Sequence, residues 1–351
     1  MKKVLKILAV MLLVIVLMAG GLVAWLSVTE YKPADVEAME VLSTGETEAV
    51  TPGDTLSVLS WNIGYAGLGA ESDFFMDGGK STQSADKDKV LEYLDGIRAS
   101  IQDIDADIVM LQEVDLDSKR TYRINEAELL ALSDSAHAMN YACEFVPIPW
   151  PPLGRVYSGV FTTTGGLEID EAERIALPCP FEWPVRTANL KRCLLASYIP
   201  IEGSDKQLVS VNLHLEAYDS GEGKAAQTKV LKEFIEGEYA RGNYVIAGGD
   251  FNQIFPGGLE AYPNTHEELW TPGLLENGML EEGWSFACDL AVPSCRLLNQ
   301  PYDPADAENT QHYVIDGFIL SPNVELIEVE CMDLGFENSD HNPVRISVKL
   351  K

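Results

Sequence analysis

The sequence lacks several features that would assign it to a common functional class. Its 6 cysteines form no Cys-x-x-Cys pair, which argues against a structural zinc site. Basic residues are scarce, because 25 lysines and arginines stand against 55 aspartates and glutamates, a net charge of −30. A nucleic-acid-binding surface is normally basic, so this composition disfavours a polyanionic partner but still permits a local basic patch.

The sequence also has no internal repeat and no lipobox cysteine. Two pairs of cysteines, Cys179 with Cys193 and Cys288 with Cys295, are close enough in sequence to be candidate disulfides in an oxidising compartment. The other two cysteines lie in apolar stretches and are interpreted as small core residues.

One long apolar run is present, and it lies at the N-terminus. Lysines at positions 2, 3 and 6 precede 22 residues, Ile7 to Val28, that are interrupted only by Ser27. About 20 apolar residues are enough to cross a bilayer as a helix. The run ends in Ala-Trp-Leu (24–26), a poor cleavage site. We therefore predict an uncleaved signal anchor over residues 1–28, in a single-pass cell-membrane protein whose remaining residues lie outside the cytoplasm.

The rest of the chain divides into an acidic segment and one domain. Residues 29–55 contain seven acidic side chains and one lysine without hydrophobic periodicity, which predicts an extended acidic linker. Residues 56–351 alternate β-rich and amphipathic helical runs, which predicts one α/β domain. The predicted helices are 85–101, 124–139 and 222–240. The predicted strands are 56–62, 107–113, 141–147, 156–163, 191–199, 207–215, 244–249, 313–320, 324–331 and 343–350.

Single polar residues stand at the ends of three of these strands. Asn62 ends the strand in SWN and by itself fits a turn. Glu113 follows IVMLQ, where a buried carboxylate needs either a cation or an arginine such as Arg123. Asn212 and His214 in VNLHL project to the same side of a strand. His214 fits either a satisfied core histidine or a proton donor.

Two further motifs carry more information. In GGDFN (248–252), two glycines are followed by Asp250, which can orient a water, and Asn252, which can donate to a phosphate oxygen without adding charge. The alternative for this motif is an Asx turn. Asp316 lies inside the apolar strand YVIDGFIL and needs a polar partner, for which His341, next to Asp340 in NSDHNP, is a candidate.

Taken in this order, the motifs WN, QE, NLHL, GGDFN, ID and SDH resemble those of the endonuclease/exonuclease/phosphatase superfamily over roughly residues 56–350. The resemblance implies an α/β (α+β) fold, a four-layer αββα sandwich of two mixed sheets, preceded here by one transmembrane helix. It also implies a phosphoesterase dependent on Mg²⁺ (or Mn²⁺), in which an activated water attacks a phosphate ester in line, a phosphodiester in preference to a monoester.

The resemblance assigns roles to residues at the matching positions. The implied metal-binding group is Asn62, Glu113 and Asp340. The implied catalytic group is His214 as acid for the leaving group, Asp250 as base for the water, Asn252 at the transition state, and Asp316 supporting His341. The expected substrate contacts are Asn212 and Arg123.

The substrate class stays open at this point. A lipid headgroup, a small phosphoester and a nucleic acid all fit, so an extracellular nuclease is the alternative, and a catalytically inactive surface binding module is a third reading. No expected site position is missing, which disfavours the module. We expect a monomer that contacts the membrane through its N-terminal helix. The aromatic and proline-rich segment 147–191 is interpreted as a packed surface loop, with a substrate rim as the alternative. The basic group that would favour a nucleic acid is Arg120, Arg123, Arg186, Lys191 and Arg192.

Overall fold

Strands and helices alternate along the body of the protein. The computed structural model describes residues 1–83, 85–147, 151–219, 221–266, 268–305 and 310–351. The helices are α1 (Lys2–Val28), α2 (Lys87–Ile104), α3 (Glu126–Leu130), α4 (Glu222–Ala240) and α5 (Gly258–Ala261). The first nine strands are β1 (Val36–Ala38), β2 (Val41–Ser43), β3 (Thr55–Asn62), β4 (Ile108–Asp115), β5 (Asp134–Val146), β6 (Gly154–Thr164), β7 (Glu171–Ala176), β8 (Cys193–Pro200) and β9 (Gln207–His214). The others are β10 (Tyr244–Asp250), β11 (Gln253–Ile254), β12 (Gly273–Leu274), β13 (Ser285–Ala287), β14 (Cys295–Arg296), β15 (His312–Tyr313), β16 (Asp316–Leu320), β17 (Val324–Cys331) and β18 (Val344–Leu350).

Fourteen of these strands form two seven-stranded sheets. Sheet I has the order β1-β7-β8-β9-β10-β16-β13, and sheet II has the order β17-β18-β3-β4-β6-β5-β2. Both sheets are mixed, because β9 runs parallel to β10 and β3 runs parallel to β4, whereas the other neighbouring strands run antiparallel. The remaining four strands form two short pairs, β11–β12 and β14–β15.

The two sheets pack face to face with helices on their outer sides. Because side chains alternate across a strand, Val58 of β3 joins the apolar layer between the sheets, whereas Leu59 and Trp61 point outward. Helix α2 covers the outer face of sheet II, and α4 covers that of sheet I through Leu231 and Ile235. The order helix–sheet–sheet–helix confirms the predicted four-layer sandwich of two mixed sheets.

Helix α2 shows how local sequence fixes these elements. Its apolar residues at positions 90, 94, 97 and 101 repeat at helical spacing and are buried. The Asp86 carboxylate accepts a hydrogen bond from the Lys89 backbone N–H at 3.0 Å and caps the N-terminus. The helix ends at Asp105, whose φ of 51° reverses the chain toward β4.

The segment 29–55 is not the free linker that we predict from its acidity. Strand β1 pairs with β7 at the edge of sheet I, and β2 pairs with β5 at the edge of sheet II. Val50 is 1% exposed, and its backbone N–H donates to Pro200 O at 2.8 Å. The prediction of an extended acidic linker is wrong because strand pairing and one buried valine outweigh the mutual repulsion among its acidic side chains, most of which remain in contact with water. The folded body therefore begins before residue 56.

Two other predictions are also corrected. The region 124–139 is not one helix, since α3 stops at Leu130 and β5 begins at Asp134. Residues 133–137 contain Ser, Asp and His, which are weak helix formers. The pairing of β5 with both β2 and β6 therefore outweighs the helical tendency of this stretch. Strand β7 is not predicted at all. The 6 cysteines are all free, so neither candidate disulfide is present.

Helix α1 is the helix that we predict to span a membrane. It is long and apolar enough to cross a bilayer, with a mean hydropathy of 3.0 over its most apolar window. Residues 2–21 are exposed, and contacts with the body begin at Leu22 and include the buried Leu26. At about 1.5 Å per residue the exposed part covers about 30 Å, the thickness of the hydrocarbon core of a bilayer.

Candidate active site

Three ionisable residues come together because of the register of sheet I. Asp250, the last residue of β10, lies opposite His214 of β9 on one side and opposite Asp316 of β16 on the other. Asp250 lies on the same side of β10 as Ile246, which faces the space between the sheets. The three side chains therefore emerge together at one end of the space between the sheets.

Two glycines allow the strands to approach this closely. A Cβ atom on Gly249, whose φ is 151°, would lie 1.9 Å from Leu213 O. A Cβ atom on Gly248 would lie 2.3 Å from the ring of Phe318. A larger residue at Gly249 would push β10 away from β9, and one at Gly248 would displace the buried ring of Phe318, so both glycines are needed for the packing around the site.

Sheet II adds Asn62 and Glu113 from the facing strand ends. Glu113 has a φ of 57° and lies at an irregularity in the pairing of β4 with β6. The Asn62 side-chain amide donates to Asp250 Oδ2 at 3.0 Å and to Glu113 Oε1 at 3.4 Å. The Gly64 N–H donates to Asn62 Oδ1 at 3.0 Å, so the amide nitrogen faces the carboxylates. Asn62 therefore links the two sheets as a hydrogen-bond donor.

The loop before β18 supplies the remaining site residues. The Ser339 hydroxyl donates to Asn62 O at 2.7 Å, and the Trp61 indole N–H donates to His341 O at 2.8 Å. These two bonds fix the loop against β3 and bring Asp340 and His341 to the site. Gly64 has a φ of 51°, and a Cβ there would lie 2.9 Å from Asp340 Oδ1, so this glycine leaves room for the carboxylate.

His341 and Asp316 form a buried pair. His341 Nδ1 lies 2.8 Å from Asp316 Oδ2, which leaves Nε2 directed toward Asp250 and Asp340, each 3.9 Å away. Burial alone would lower the pKa of His341, but the Asp316 carboxylate and the other acids nearby raise that pKa well above its ordinary value. The imidazole is thus oriented by one carboxylate and carries a positive charge at neutral pH.

Asp250 is held in place by donors on several sides. Besides Asn62, the Asn252 backbone N–H donates to Asp250 Oδ1 at 2.8 Å. Burial, and then the Asp316 carboxylate, raise the pKa of Asp250 to about 7. A carboxylate with this pKa can both accept and release a proton near neutral pH, which is what a general base requires. The Asn252 side-chain amide donates to Leu215 O at 2.9 Å and fixes its own orientation.

His214 differs from His341 in its charge. Its Nε2 atom lies 3.4 Å from Asp250 Oδ2 and 4.0 Å from Glu113 Oε1. Burial, followed by the positive charge of Arg192, lowers the pKa of His214 well below its ordinary value. The ring is neutral at pH 7, and its buried Nδ1 has no hydrogen-bond partner among the described residues. Neutral His214 can donate one hydrogen bond, but it does not carry the second ring proton that an imidazolium could transfer.

The donor set suits a hard divalent cation. Glu113 and Asp340 offer carboxylate oxygens, which such cations prefer. Burial raises the pKa of Asp340 to about 7, although His341 opposes this shift. The raised pKa means that the surroundings of this buried carboxyl group stabilise its negative charge incompletely. A bound cation would supply the missing positive charge. A second possible metal-binding group is Asp250, Asp316 and His341, whose potential ligand atoms lie within 4.8 Å of one another. In this group, however, His341 and Asp316 are already hydrogen-bonded to each other. We therefore favour Glu113 and Asp340 as the ligands.

The structure does not bring Asn212 and Arg123 together with the other site residues. The Asn212 amide nitrogen donates to Phe161 O and Leu111 O at 2.9 Å and 3.0 Å, and its oxygen accepts from Gln112 at 2.8 Å. Asn212 is fully buried and connects the two sheets beneath the site. Arg123 is largely exposed and pairs with Asp117 at 2.9 Å, so it is not the partner of Glu113.

A cleft of about 500 Å³ opens above these residues and is lined by two side-chain contacts that the sequence alone does not predict, although Arg120 itself is a member of the predicted basic group. Arg120 binds Asp115 with two hydrogen bonds, of 2.8 Å and 2.9 Å, and its guanidinium lies 3.5 Å from the centre of the Tyr65 ring. At another part of the cleft, the Tyr218 hydroxyl donates to Asp77 Oδ1 at 3.1 Å. Neither pair lies in a recognisable motif, so only their three-dimensional contacts reveal them.

The fold and this arrangement of residues agree with the sequence comparison. The model of the endonuclease/exonuclease/phosphatase family matches residues 59–341, and the chain belongs to that family. The protein is therefore an enzyme of a class of metal-dependent phosphoesterases and nucleases.

Three solved structures are similar to this chain at low sequence identity, and the first two have TM-scores above 0.5. An endonuclease/exonuclease/phosphatase from Beutenbergia cavernae DSM 12333 has a TM-score of 0.55 and 16% identity, over 84% of this chain and 72% of that chain. One from Bacteroides vulgatus has a TM-score of 0.51 and 17% identity, over 85% of this chain and 100% of that chain. The human Nocturnin catalytic domain has a TM-score of 0.49 and 16% identity, over 89% and 97%. No curated protein matches this sequence.

Proposed function

We propose that this protein is a Mg²⁺- or Mn²⁺-dependent phosphodiesterase, anchored on the outer face of a membrane by α1. The observation that supports the proposal is the convergence of Glu113 and Asp340 with Asp250 and the Asp316–His341 pair at one end of the two sheets. Two acids there offer carboxylate oxygens to a cation, one further carboxylate is placed to accept a proton, and one imidazole is held as a cation.

The residues divide the chemistry among themselves. A divalent cation held by Glu113 and Asp340 would stabilise the negative charge on the phosphoryl oxygens. Asp250, fixed by Asn62 and by the Asn252 N–H, accepts a proton from the attacking water. The Nε2–H of His341 donates to a phosphoryl oxygen, where charge increases in the transition state. Asp316 acts by holding His341 in the tautomer and orientation that this requires.

His214 serves the leaving oxygen through its one N–H. The P–O bond breaks as the bond from water to phosphorus forms, and negative charge develops on the departing oxygen. A hydrogen bond from neutral His214 stabilises that charge, and solvent completes the protonation. The family resemblance implies that His214 is the acid that protonates the leaving group. The role proposed here differs, because His214 donates a hydrogen bond to the leaving oxygen and keeps its proton.

A single phosphodiester fits the cleft better than a nucleic acid does. Arg120 and Arg192 line the cleft, but each already has an acidic partner, Asp115 at 2.8 Å and Glu216 at 3.5 Å. A polyanion needs unpaired cations that displace its counterions. Apolar side chains from two separate clusters, one around Val146 and one around Leu68, line the cleft instead and offer surface to both ester groups of a diester.

The membrane topology is part of the proposal. The lysines at positions 2, 3 and 6 precede the apolar part of α1, and positive charge at that end favours its retention in the cytoplasm. The catalytic domain then lies outside, joined directly to the end of the spanning helix.

The test is hydrolysis of bis-p-nitrophenyl phosphate by the full chain in mild detergent. We expect turnover with Mg²⁺ or Mn²⁺ and none with EDTA, restored by adding metal back. Double-stranded DNA, single-stranded RNA and a phosphomonoester are assayed in parallel, and we expect the simple diester to be hydrolysed faster than any of them. Turnover that EDTA does not affect contradicts the metal site. Faster hydrolysis of DNA or RNA supports the nuclease, and no turnover of any substrate supports a binding module.

A further inference from the structure

One wall of the cleft is apolar and lies beside the catalytic residues. Tyr141, Val146 and Leu153 line it from one side, and Phe181, Ala188 and Leu190 line it from the segment before β8. The catalytic residues Asp250 and His341 line the same cleft. A substrate held at the phosphoryl site therefore has an apolar surface within reach, and a polar substrate gains nothing from that surface.

The apolar wall continues without interruption onto the end of α1. Leu22 and Leu26 pack in one cluster with Val146, Leu153 and Ala188, three residues that also line the cleft. The ring of Trp25 lies 6.4 Å from that of Phe145. Because α1 contacts the body only from Leu22 onward, the wall lies where the helix leaves the hydrocarbon core of the membrane.

The segment 181–191 joins the cleft to the membrane side. Phe181 lines the cleft, and two residues later the Trp183 indole N–H donates to Ser27 Oγ of α1 at 2.9 Å. Trp183 and Val185 are 58% and 59% exposed, next to a helix predicted to lie in lipid. Tryptophans at the ends of membrane helices typically lie at the lipid–water interface.

Basic residues surround the first acid after α1. Glu30 is buried, and Arg186, Lys191 and Lys32 each lie 3.4–3.5 Å from its carboxylate. Three cations thus surround one anion, in a protein whose net charge is −30. Positive charge next to a membrane helix suits anionic lipid headgroups.

We propose that the substrate is a glycerophospholipid of the membrane that α1 spans, bound with its phosphodiester at the catalytic residues and an acyl chain along the wall formed by Val146, Leu153 and Phe181. This inference rests on the proposed phosphodiesterase function and names its substrate class. The lipid reaches the site from the bilayer surface, where α1, Trp183 and Val185 place the mouth of the cleft. A nucleic acid carries no aliphatic chain that would match the aliphatic side chains of this wall, Val146 and Leu153.

The reaction is a simple hydrolysis. The oxygen of water bonds to phosphorus, the bond from phosphorus to one ester oxygen breaks, and that oxygen leaves as an alcohol after gaining a proton. The proton lost by the water goes to Asp250 and then to solvent. A phosphatidylglycerol thus gives either diacylglycerol and glycerol phosphate or phosphatidic acid and glycerol.

The experiment uses the full chain reconstituted into vesicles of equal amounts of phosphatidylcholine and phosphatidylglycerol, with Mg²⁺. Products are identified by mass spectrometry. The comparison substrate is dibutyryl phosphatidylglycerol, which has the same headgroup but is soluble. Burial of a longer chain on the wall predicts a kcat/KM at least about tenfold higher for the long-chain lipid. Equal values for the two lipids, or no hydrolysis of either while bis-p-nitrophenyl phosphate is hydrolysed, overturn the lipid inference alone. Failure of the nitrophenyl ester as well overturns the phosphodiesterase itself.

A matched pair of variants separates membrane access from the general effect of a surface charge. Val185→Glu places an acid on the membrane side, and Ile327→Glu places one at a residue that is 54% exposed on β17, at the opposite edge of sheet II from β2. We expect Val185→Glu to lower hydrolysis of the vesicle lipid about tenfold or more while hydrolysis of the nitrophenyl ester in detergent is unchanged. Ile327→Glu should change neither rate. Equal effects of the two variants on the vesicle lipid contradict the proposal.

Discussion

The inner faces of the two sheets carry apolar side chains at one end and charged side chains at the other. Strand β10 has Ile246 and Asp250, and its neighbour β16 has Leu320 and Asp316, paired in that order across the two strands. Burial of a large apolar side chain contributes about 1.5–3 kcal/mol to stability. Burial of Asp250 instead raises its pKa to about 7, which means that the folded state disfavours its charged form. Stability therefore comes from the apolar end, and the acids at the other end are present for chemistry.

The largest expected effect comes from removing a charged residue at the functional end. His341→Ala should lower kcat for bis-p-nitrophenyl phosphate by about 10²–10⁴-fold, because a positioned donor at the phosphoryl group is lost. The matched control is His266→Ala, a histidine in a loop whose ring nitrogen lies 3.5 Å from Glu268. Steady-state kinetics at saturating Mg²⁺ measure both variants. A His341→Ala enzyme with normal kcat contradicts the assigned role.

The leaving-group role of His214 has a separate test. A nitrophenolate leaves readily, whereas an alkoxide needs a hydrogen bond or a proton as it departs. His214→Ala should therefore reduce hydrolysis of an alkyl phosphodiester about tenfold more than that of the nitrophenyl ester. The ratio of the two kcat values is the readout. An equal loss of kcat for both esters would contradict the leaving-group role. It would indicate that His214 instead positions Asp250, because His214 Nε2 lies 3.4 Å from Asp250 Oδ2.

The next prediction concerns stability at the boundary between the apolar and the charged ends of the two sheets. Asn212→Ala removes three buried hydrogen bonds, two to carbonyl oxygens and one from the Gln112 amide, so we expect a loss of about 3 kcal/mol in the free energy of unfolding. Urea unfolding measures this loss, and a double-mutant cycle with Gln112→Ala should show coupling between the two residues. A raised KM with unchanged stability would instead support the sequence-based view of Asn212 as a substrate contact.

The acidic segment before β3 provides the next prediction. Val50→Ala should lower the free energy of unfolding by about 2 kcal/mol, because two buried methyl groups are lost from the layer between the sheets. Glu46→Ala, at an exposed position of the same segment, should have no measurable effect. Equal stability of the two variants would restore the picture of a free linker.

The smallest predicted effect is a pH dependence of stability at His137, a partly buried residue of β5. Burial lowers the pKa of His137 to about 4, from 6.5 in the unfolded chain, although a contact with Val114 O at 3.3 Å opposes this shift. Between pH 6.5 and 4 the unfolded state binds a proton that the folded state does not bind. The contribution of His137 to stability should therefore fall as the pH drops through this range and be constant above it. We expect a change of about 1–2 kcal/mol, less than the full shift in pKa implies, because the side chain is only partly buried and water screens its charge. In His137→Gln this contribution should be absent in unfolding curves measured at several pH values.

The sequence predicts the alternation of strands and helices because this depends on local patterns. Asn62, Glu113 and Asp250 follow apolar runs and are therefore expected at strand ends, and the order of the motifs indicates the family, whose fold is the sandwich. The role of Asn212 could not be predicted in this way, because it depends on which side chains of the other sheet lie opposite it.

The remaining errors have the same physical origin. The strand β5 and the edge strands β1 and β2 form because partners distant in sequence are available, and such pairing is not visible in local composition. The wall between α1 and the cleft also depends on long-range contacts. It includes Phe181 and Leu190 of the segment 147–191, which we interpret from sequence as a packed loop with a substrate rim as the alternative. Pro149 and Trp150 of that segment lie outside the described residues.

The most direct test of the account compares two positions on one strand. Bis-p-nitrophenyl phosphate hydrolysis and urea unfolding are measured for the full chain, for Asp250→Asn and for Ile246→Ala. We predict Mg²⁺-dependent turnover by the unaltered chain, a loss of about 10²–10⁴-fold in Asp250→Asn with stability equal or higher, and retained turnover in Ile246→Ala with about 2–5 kcal/mol less stability. An Asp250→Asn enzyme that keeps its turnover would contradict the assignment of this cluster as the catalytic site.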